Sequence, residues 1–194
     1  MKTFFKVLFI TGIVAGASLF TQCKRQQQVV APYGETLVEV LCSGPEYFTN
    51  NEYFRANSLG ESTNQANSKR MALSNARAEM AGQLSVLVRG VVDNYFQQYG
   101  LGARSDFSER YEGLFREVID ERLQGTRIIC EQVTRTDVGA YKTYIAIELA
   151  GNEIMNLVNQ RISNDERLRI DYNYEKFKNT FDQEIEKLRQ ERGY

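Results

Sequence analysis

The chain has 194 residues, and its 24 Lys and Arg side chains nearly balance its 25 Asp and Glu side chains. This near-neutral charge argues against a nucleic-acid partner, which would need a basic surplus. The sequence contains no histidine, which excludes Ser-His-Asp and Cys-His catalysis, histidine-based zinc sites and imidazole pH switches. A hydrophobic content of 42% with 25% charged residues is typical of a folded globular protein.

The first 25 residues have the layout of a bacterial export signal. Lys2 and Lys6 form a basic head, the apolar run from Phe4 to Val14 follows, and small residues come before Cys23. The apolar run is too short between its polar flanks to be a typical membrane-spanning helix. We therefore expect residues 1–22 to be a signal peptide and Cys23 to become the lipid-modified first residue of the mature protein.

A second cleavage site is open at this end of the chain, and it changes the cysteine count. Ala15-Gly16-Ala17 matches the A-x-A pattern of ordinary signal peptidase, and Gln22 departs from the small residue usual before a lipidated cysteine. If Cys23 is lipidated, Cys42 and Cys130 remain as a pair in a compartment where disulfides persist. The sequence thus predicts a candidate disulfide, with two small buried thiols as the alternative.

The first half of the mature chain is predicted to hold a tether, short strands and one long helix. Residues 23–35 carry the lipid attachment and a polar tether. Thr36–Cys42 and Glu52–Ala56 are rich in β-forming residues and are predicted strands, with a loop at 57–67. From Ser68, the predicted N-cap, to Phe96, apolar residues recur at spacings of three and four, which predicts a long amphipathic helix.

The second half begins with a helix and a hairpin. Asp106–Leu123 carries a second amphipathic stripe, and Gly125 is the glycine expected after its end. Thr126–Thr136 and Tyr141–Leu149 are predicted strands on either side of a short glycine-bearing loop, which predicts a β-hairpin. In the second strand the odd-numbered side chains are expected to face the core and the even-numbered ones to face water.

The last part of the chain is predicted to be helical. We expect an α+β domain over 36–162 and a charged amphipathic C-terminal helix over 163–194. The steps of three and four between its apolar residues resemble a coiled-coil seam. This seam is the candidate surface for an envelope protein partner or for self-association, and the alternative is that the helix folds back on its own domain. The seam residues are Ile170, Tyr174, Phe177, Phe181, Ile185 and Leu188.

The sequence contains few motifs that would indicate catalysis or ligand binding. The sequence has no phosphate-binding glycine loop, nucleophile elbow or cysteine cluster with metal-ligand spacing. We therefore expect no catalysis, no cofactor and no metal. Rings between Tyr47 and Phe54 are expected in the core or at its rim, with a small-ligand pocket as the alternative. Carboxylates at helix spacing are typical of solvated helix faces and occur at Asp106/Glu109, Glu117/Asp120/Glu121 and Glu184/Glu186.

The run from Phe54 to Val88 resembles the core of the LPP-twenty family of bacterial surface lipoproteins and the related amino-terminal domain of flagellar assembly protein T. The shared pattern is a strand, a Gly/Ser loop and an alanine-rich helix with a trailing aliphatic stripe. The hairpin over Gly125–Leu149 resembles the closing strands of the family. The matching positions of the first run are Gly60, Ala72, Ala76, Arg77, Ala81, Leu84 and Val88.

The resemblance implies an α+β fold in which a small antiparallel sheet packs on a long amphipathic helix, with an additional C-terminal helix in this chain. It also implies an envelope lipoprotein without known catalysis. We expect a non-catalytic binding or assembly module, lipid-anchored at the periplasmic face of the outer membrane through Cys23, with no nucleic-acid partner. The alternative is a periplasmic domain that binds a small ligand or glycan.

Overall fold

The computed structural model describes residues 31–99 and 105–193. The predicted signal peptide, its alternative cleavage site and Cys23 lie outside these residues. Glu39 to residue 193 belongs to one compact unit, and the described residues before it belong to a separate unit. The helices and strands are β1 (Tyr53–Ser62), α1 (Gln65–Gln98), α2 (Ser105–Leu123), β2 (Arg127–Arg135), β3 (Tyr141–Ala150), α3 (Gly151–Asn164) and α4 (Tyr174–Glu191). Short 3-10 turns occur at Pro45–Tyr47 and Leu168–Ile170.

The three strands form an antiparallel sheet in the order β1-β3-β2. In the register of β1 on β3, Tyr53 lies opposite Ala150 and Ser62 opposite Tyr141. A bulge between residues 128 and 130 shifts the register of β2 on β3. The α+β fold is confirmed, with a small antiparallel sheet packed on a long helix and an additional C-terminal helix.

Helix α1 packs on one face of the sheet, here called the helix-side face. Small side chains at the start of α1 allow a close approach, since Ala72 and Ala76 are fully buried. At Gly60 of β1 an added Cβ would lie 2.4 Å from Ala72 N and 2.4 Å from Ser68 O, so this contact requires glycine. Larger side chains fill the second half of the buried stripe, namely Met80, Leu84, Leu87, Val88, Val91, Val92, Tyr95 and Phe96.

Strand β1 is longer than predicted. The loop expected over 57–67 is wrong for residues 57–62, because pairing with β3 holds this polar stretch in an extended conformation. The cap of α1 also differs from the prediction. Asn64 caps the helix by accepting a hydrogen bond from Asn67 N at 3.1 Å. Ser68 lies inside the first turn and is buried.

The strand predicted over Thr36–Cys42 does not form. Cys42 has a φ of 57°, which ends an extended conformation at this position. The apolar side chains just before it are exposed, with Val40 at 45% and Leu41 at 41% exposed. The β-forming composition of this stretch is therefore not matched by pairing with a neighbouring strand.

Helix α4 packs against α1 within the same core as the sheet. The structure therefore has the fold-back arrangement of the C-terminal helix. The core continues without a break across the boundary expected between residues 162 and 163, since Ile162 and Leu168 are both buried in it. Among the helices of residues 31–99 and 105–193, none is long and apolar enough to cross a membrane.

Candidate interaction surface

The sheet face opposite α1, here called the outer face, follows directly from the strand registers. Side chains of directly opposed residues point to the same face, so each row across the sheet can be read from the pairing. The rows are Tyr53–Ala150, Arg55–Glu148–Arg127, Asn57–Ala146–Cys130, Leu59–Tyr144–Gln132 and Glu61–Lys142–Thr134. The segment around Cys42 that leads into the domain, here called the incoming chain, is covalently attached to this face.

A disulfide joins Cys42 to Cys130, with the two Cα atoms 5.6 Å apart and a sequence separation of 88 residues. Cys130 lies opposite Ala146 on the outer face, so the bond holds the incoming chain against that face. The arrangement explains why Ala146 is fully buried, although the alternation of β3 predicted a wet position. The sequence pointed to this cysteine pair but left its bonding open.

Glu148 forms an ion cluster at one end of the outer face. Glu148 is 4% exposed, and its carboxylate accepts hydrogen bonds from Arg127 Nε at 2.9 Å and from Arg55 Nε at 3.1 Å. Arg55 also donates through Nη1 to the carbonyl of Phe48 at 3.2 Å. A buried carboxylate requires such partners, because desolvation of an unpaired charge is costly. The hydrogen bond with Glu148 in turn raises the pKa of Arg127.

The prediction that Glu148 faces water is therefore wrong. Alternation places its side chain on the correct face, but that face is covered here by the two arginines. The signal in the sequence was an arginine in each neighbouring strand, although the register and the bulge were needed to bring them together. The cluster retains one positive charge in excess, and the side chain of Arg127 is 72% exposed.

The edge of the sheet formed by β1 is capped by side chains. Thr49 Oγ1 accepts a hydrogen bond from Arg55 N at 2.9 Å and lies 3.2 Å from Arg55 O, to which it donates. Asn75 of α1 donates through Nδ2 to the carbonyl of Leu59 at 3.0 Å. These bonds occupy outward-pointing backbone groups of an edge strand and so protect it against pairing with another chain.

The opposite edge, formed by β2, has a different character. Since Arg55 and Leu59 turn their backbone groups away from β3, alternation through the registers places the outward groups of β2 at Glu131, Val133 and Arg135. Within residues 31–99 and 105–193, no loop or side chain hydrogen-bonds to the backbone of these three residues from the free side. This part of β2 is an uncapped strand edge.

The seam predicted as a partner surface lies mostly inside the protein. Phe177, Phe181, Ile185 and Leu188 are at most 5% exposed and belong to the main core, so the prediction of a partner surface is wrong for these four. The physical reason is that their apolar stripe is covered by this chain's own helices. Tyr174 is partly buried against the same core, and Ile170 alone of the six is largely exposed, at 74%.

The remaining candidate positions fit structural roles. Glu117 lies 3.6 Å from the guanidinium of Arg161, which also pairs with Glu121. Glu184 accepts a hydrogen bond from Asn94 of α1. In the part of the chain that the structure describes, no group of three or more Cys, Asp or Glu side chains is arranged to hold a metal ion.

The rings between Tyr47 and Phe54 do not line one common cavity. Phe54 is 1% exposed and meets Phe181 edge to face, with the ring centroids 6.4 Å apart. Tyr53 lies on the outer face, where the Arg55 guanidinium is 5.5 Å from its ring centroid. A cavity of about 380 Å³ beside the ion cluster has Tyr53 as its only aromatic lining residue in the described chain.

Comparison with family models, curated proteins and solved structures finds no match for this chain. Two features of the described residues set the outer face and the sheet edges apart. One is the disulfide that attaches the incoming chain to the outer face. The other is the difference between the capped edge of β1 and the uncapped edge of β2.

Proposed function

We propose that this protein is a lipid-anchored cell-envelope protein that serves as a non-catalytic binding module. The observation that carries the proposal is the disulfide between Cys42 and Cys130. Structural disulfides persist in oxidising compartments such as the bacterial periplasm and are rare in the cytosol. Such a bond fits the export signal expected over residues 1–22 and leaves Cys23 as the one thiol available for lipidation.

In this proposal the outer face is the side on which the protein meets its surroundings. The tether expected over residues 23–35 leads to the segment that the disulfide holds on this face. Leu59 on this face is 44% exposed, and Val40 and Leu41, which directly precede Cys42, provide further exposed apolar area. The resemblance to the LPP-twenty lipoproteins supports an envelope location and adds no catalytic residues.

Intact mass spectrometry of the protein extracted from membranes tests the anchor. We expect a mature chain that begins at Cys23 and carries acyl groups, and the Cys23→Ala variant should lose both the acyl mass and the membrane association. The matched control is a Cys42→Ser, Cys130→Ser double variant, which should lose the disulfide and keep the acyl groups. A native mass that begins at Ser18 without lipid would contradict the proposal.

A photo-crosslinking amino acid placed at two exposed positions tests the binding role. Residue 59 lies on the outer face, whereas residue 86 lies on α1 and is the control, with Leu59 44% and Val86 59% exposed. We expect a discrete crosslinked envelope protein from position 59 and only diffuse labelling from position 86. Equal, diffuse labelling from both positions would count against the outer face as a binding surface.

A further inference from the structure

The geometry points to β2 as the strand through which two copies of this chain pair. In this pairing β2 of one copy lies antiparallel to β2 of a second copy, and the two-fold axis passes beside Val133. The outward backbone groups at residues 131, 133 and 135 then face those at 135, 133 and 131 of the second copy, as an antiparallel ladder requires. The two sheets become one continuous six-stranded sheet.

The charge pattern of β2 favours a second copy as the occupant of this edge. The side chains of Glu131, Val133 and Arg135 all point to the helix-side face, since they lie opposite Ile145, Thr143 and Tyr141. In the register centred on Val133, Glu131 lies directly opposite Arg135 of the second copy, and the two-fold axis repeats this contact. Directly opposed side chains of opposite charge stabilise a strand pair.

Neighbouring registers lose this contact: a pairing centred on Gln132 sets Glu131 opposite Val133 of the second copy, and two other registers place like charges together. A pairing centred on Glu131 sets this carboxylate against its own copy, and one centred on Thr134 sets Glu131 opposite Asp137 of the second copy. Like charges directly opposite each other destabilise a strand pair. The pairing centred on Val133 also covers the side chain of Val133 with its own copy, and this side chain is 39% exposed in a single copy.

The helix-side face leaves room for the second copy. Helix α1 packs mainly on β1 and β3, and it reaches β2 through the ion pair between Lys69 Nζ and Glu131 Oε2, at 2.8 Å. The guanidinium of Arg135 lies 5.5 Å from the ring centroid of Tyr141 in β3, on the same helix-side face as Glu131, and it turns towards the free edge when the second copy pairs. Lys69, Glu131 and Arg135 of the second copy would thus form one charge network on each side of the axis.

The symmetry of this pairing agrees with the proposed anchor, and to that extent the inference rests on the proposed function. A two-fold axis perpendicular to the continuous sheet places both outer faces on the same side. Both Cys42 side chains therefore lie on one side of the dimer, so that both chains could reach a single membrane. Pairing of five residues per copy is a small contact, and anchoring in one membrane raises the effective concentration that it needs.

Site-directed crosslinking of the full-length protein in membranes tests the register. In the Val133→Cys variant the two thiols lie beside the axis, where opposed Cα atoms are about 5.5 Å apart, and a short bismaleimide should link them. The control, Val138→Cys, is 91% exposed at the hairpin tip, and the pairing separates its two copies by about 33 Å at 3.3 Å per residue. We expect a band of twice the chain mass from position 133 alone, and none from the native chain.

A charge reversal tests the opposed pairs. Glu131→Arg alone and Arg135→Glu alone should each lower the crosslinking yield of Val133→Cys at least tenfold, because like charges then meet across the axis. The combined Glu131→Arg, Arg135→Glu variant restores opposite charges and should recover most of the yield. Circular dichroism of each variant checks that the single copy is still folded.

The outcomes separate this inference from the proposed anchor. A band of a different mass from position 133, no band at all, or equal bands from 133 and 138 would overturn the self-pairing. The combined charge reversal overturns it too if the folded variant stays uncrosslinked. An acylated chain without crosslinks removes the dimer and keeps the anchor, whereas crosslinks from position 133 in concentrated Val133→Cys protein that lacks acyl groups keep the dimer and remove the anchor.

Discussion

Ser68 and Thr143 share a hydrogen bond of 2.8 Å inside the core, although they are 75 residues apart in the chain. The bond joins the first turn of α1 to the beginning of β3. Ser68 donates its hydroxyl proton to the carbonyl of Gln65 at 2.8 Å, so the proton shared with Thr143 must come from Thr143. This buried pair fixes where the long helix begins relative to the sheet.

The Ser68→Ala variant should lower the free energy of unfolding by about 1–3 kcal/mol, because it leaves the buried Thr143 hydroxyl without an acceptor. Thr143→Val should cost less, since Ser68 keeps its bond to Gln65. The double variant should be less destabilised than the sum of the two, because both polar groups are then removed. Urea unfolding of the four proteins measures this coupling, and strict additivity would show that the two hydroxyls do not interact.

Gly60 and Gly82 make a matched pair for the contact between sheet and helix. Gly60→Ala should cost about 1–3 kcal/mol, because the new Cβ would lie 2.4 Å from backbone atoms of α1 that cannot move freely. Gly82 lies within α1 with nothing within 4 Å of the new Cβ. Gly82→Ala should therefore stabilise by about 0.5–1 kcal/mol through its better helix propensity.

Thermal unfolding of both glycine variants gives the measurement. The expected result is opposite signs, with a lower midpoint for Gly60→Ala and a higher one for Gly82→Ala. If Gly60→Ala were as stable as the native protein, β1 could not approach α1 as closely as the structure places it.

The helices and strands that could be predicted are those for which the spacing of apolar residues within one segment is sufficient evidence. Helix α1 follows from its spacing of three and four, and the core side of β3 follows from strict alternation at Ile145, Ile147 and Leu149. The extension of β1 through Gly60 could not be predicted, because this stretch lacks strong β-formers and pairs only because β3 lies beside it.

The candidate site shows the same limit. With Cys23 assigned to lipidation, the sequence leaves Cys42 and Cys130 as a candidate pair. Whether they bond depends on where the incoming chain crosses the sheet. For α4, the amphipathic stripe through Phe177 and Phe181 establishes an apolar face without saying which molecule covers it. The arginine partners of Glu148 required two registers and a bulge, which no local pattern contains.

Glu148→Gln tests the ion cluster of the outer face. The amide would leave Arg55, whose side chain is 18% exposed, without its charged partner. We expect a loss of about 3 kcal/mol, at the low end for breaking a buried pair because the head of Arg127 remains in water. The control is Glu61→Gln, whose pair with Lys142 on the same face is exposed and should contribute less than about 1 kcal/mol.

Chemical denaturation of these two variants against the native protein is the check. A similar small effect for Glu148→Gln and Glu61→Gln would mean that water reaches Glu148 as readily as it reaches the sheet rim. A large effect restricted to Glu148→Gln would agree with a carboxylate held in a dry position between two guanidinium groups.

Two tyrosines with buried hydroxyl groups are expected to respond differently to loss of the hydroxyl. Tyr111 donates to the carbonyl of Leu168 at 3.0 Å, so Tyr111→Phe should cost about 1 kcal/mol. The hydroxyl of Tyr172 is buried without a hydrogen-bond partner among the described residues. Tyr172→Phe should therefore be neutral or stabilising, by up to about 1 kcal/mol. Urea unfolding of both variants measures the change in the free energy of unfolding. A clear loss of stability in Tyr172→Phe would show that its hydroxyl has a hydrogen-bond partner.

Three tyrosines with raised pKa values should also make stability depend on pH at high pH. Burial raises the pKa of Tyr95, Tyr111 and Tyr172 above the ordinary value of about 10. In the unfolded chain these phenols ionise near pH 10, whereas in the folded protein they resist ionisation. Their contribution to stability is therefore complete below about pH 10 and is lost as the pH rises from there towards the folded-state pKa values.

Alkaline titration followed by tyrosinate absorbance and far-ultraviolet circular dichroism tests this order of events. The phenols of Tyr95, Tyr111 and Tyr172 should ionise only as the protein unfolds and helix content is lost. In the Tyr111→Phe variant the slope of stability against pH above about 10 should be shallower, because one strongly shifted phenol is absent. Ionisation of every tyrosine at full helix content would show that water enters the cluster around Tyr95 and Tyr111 without unfolding.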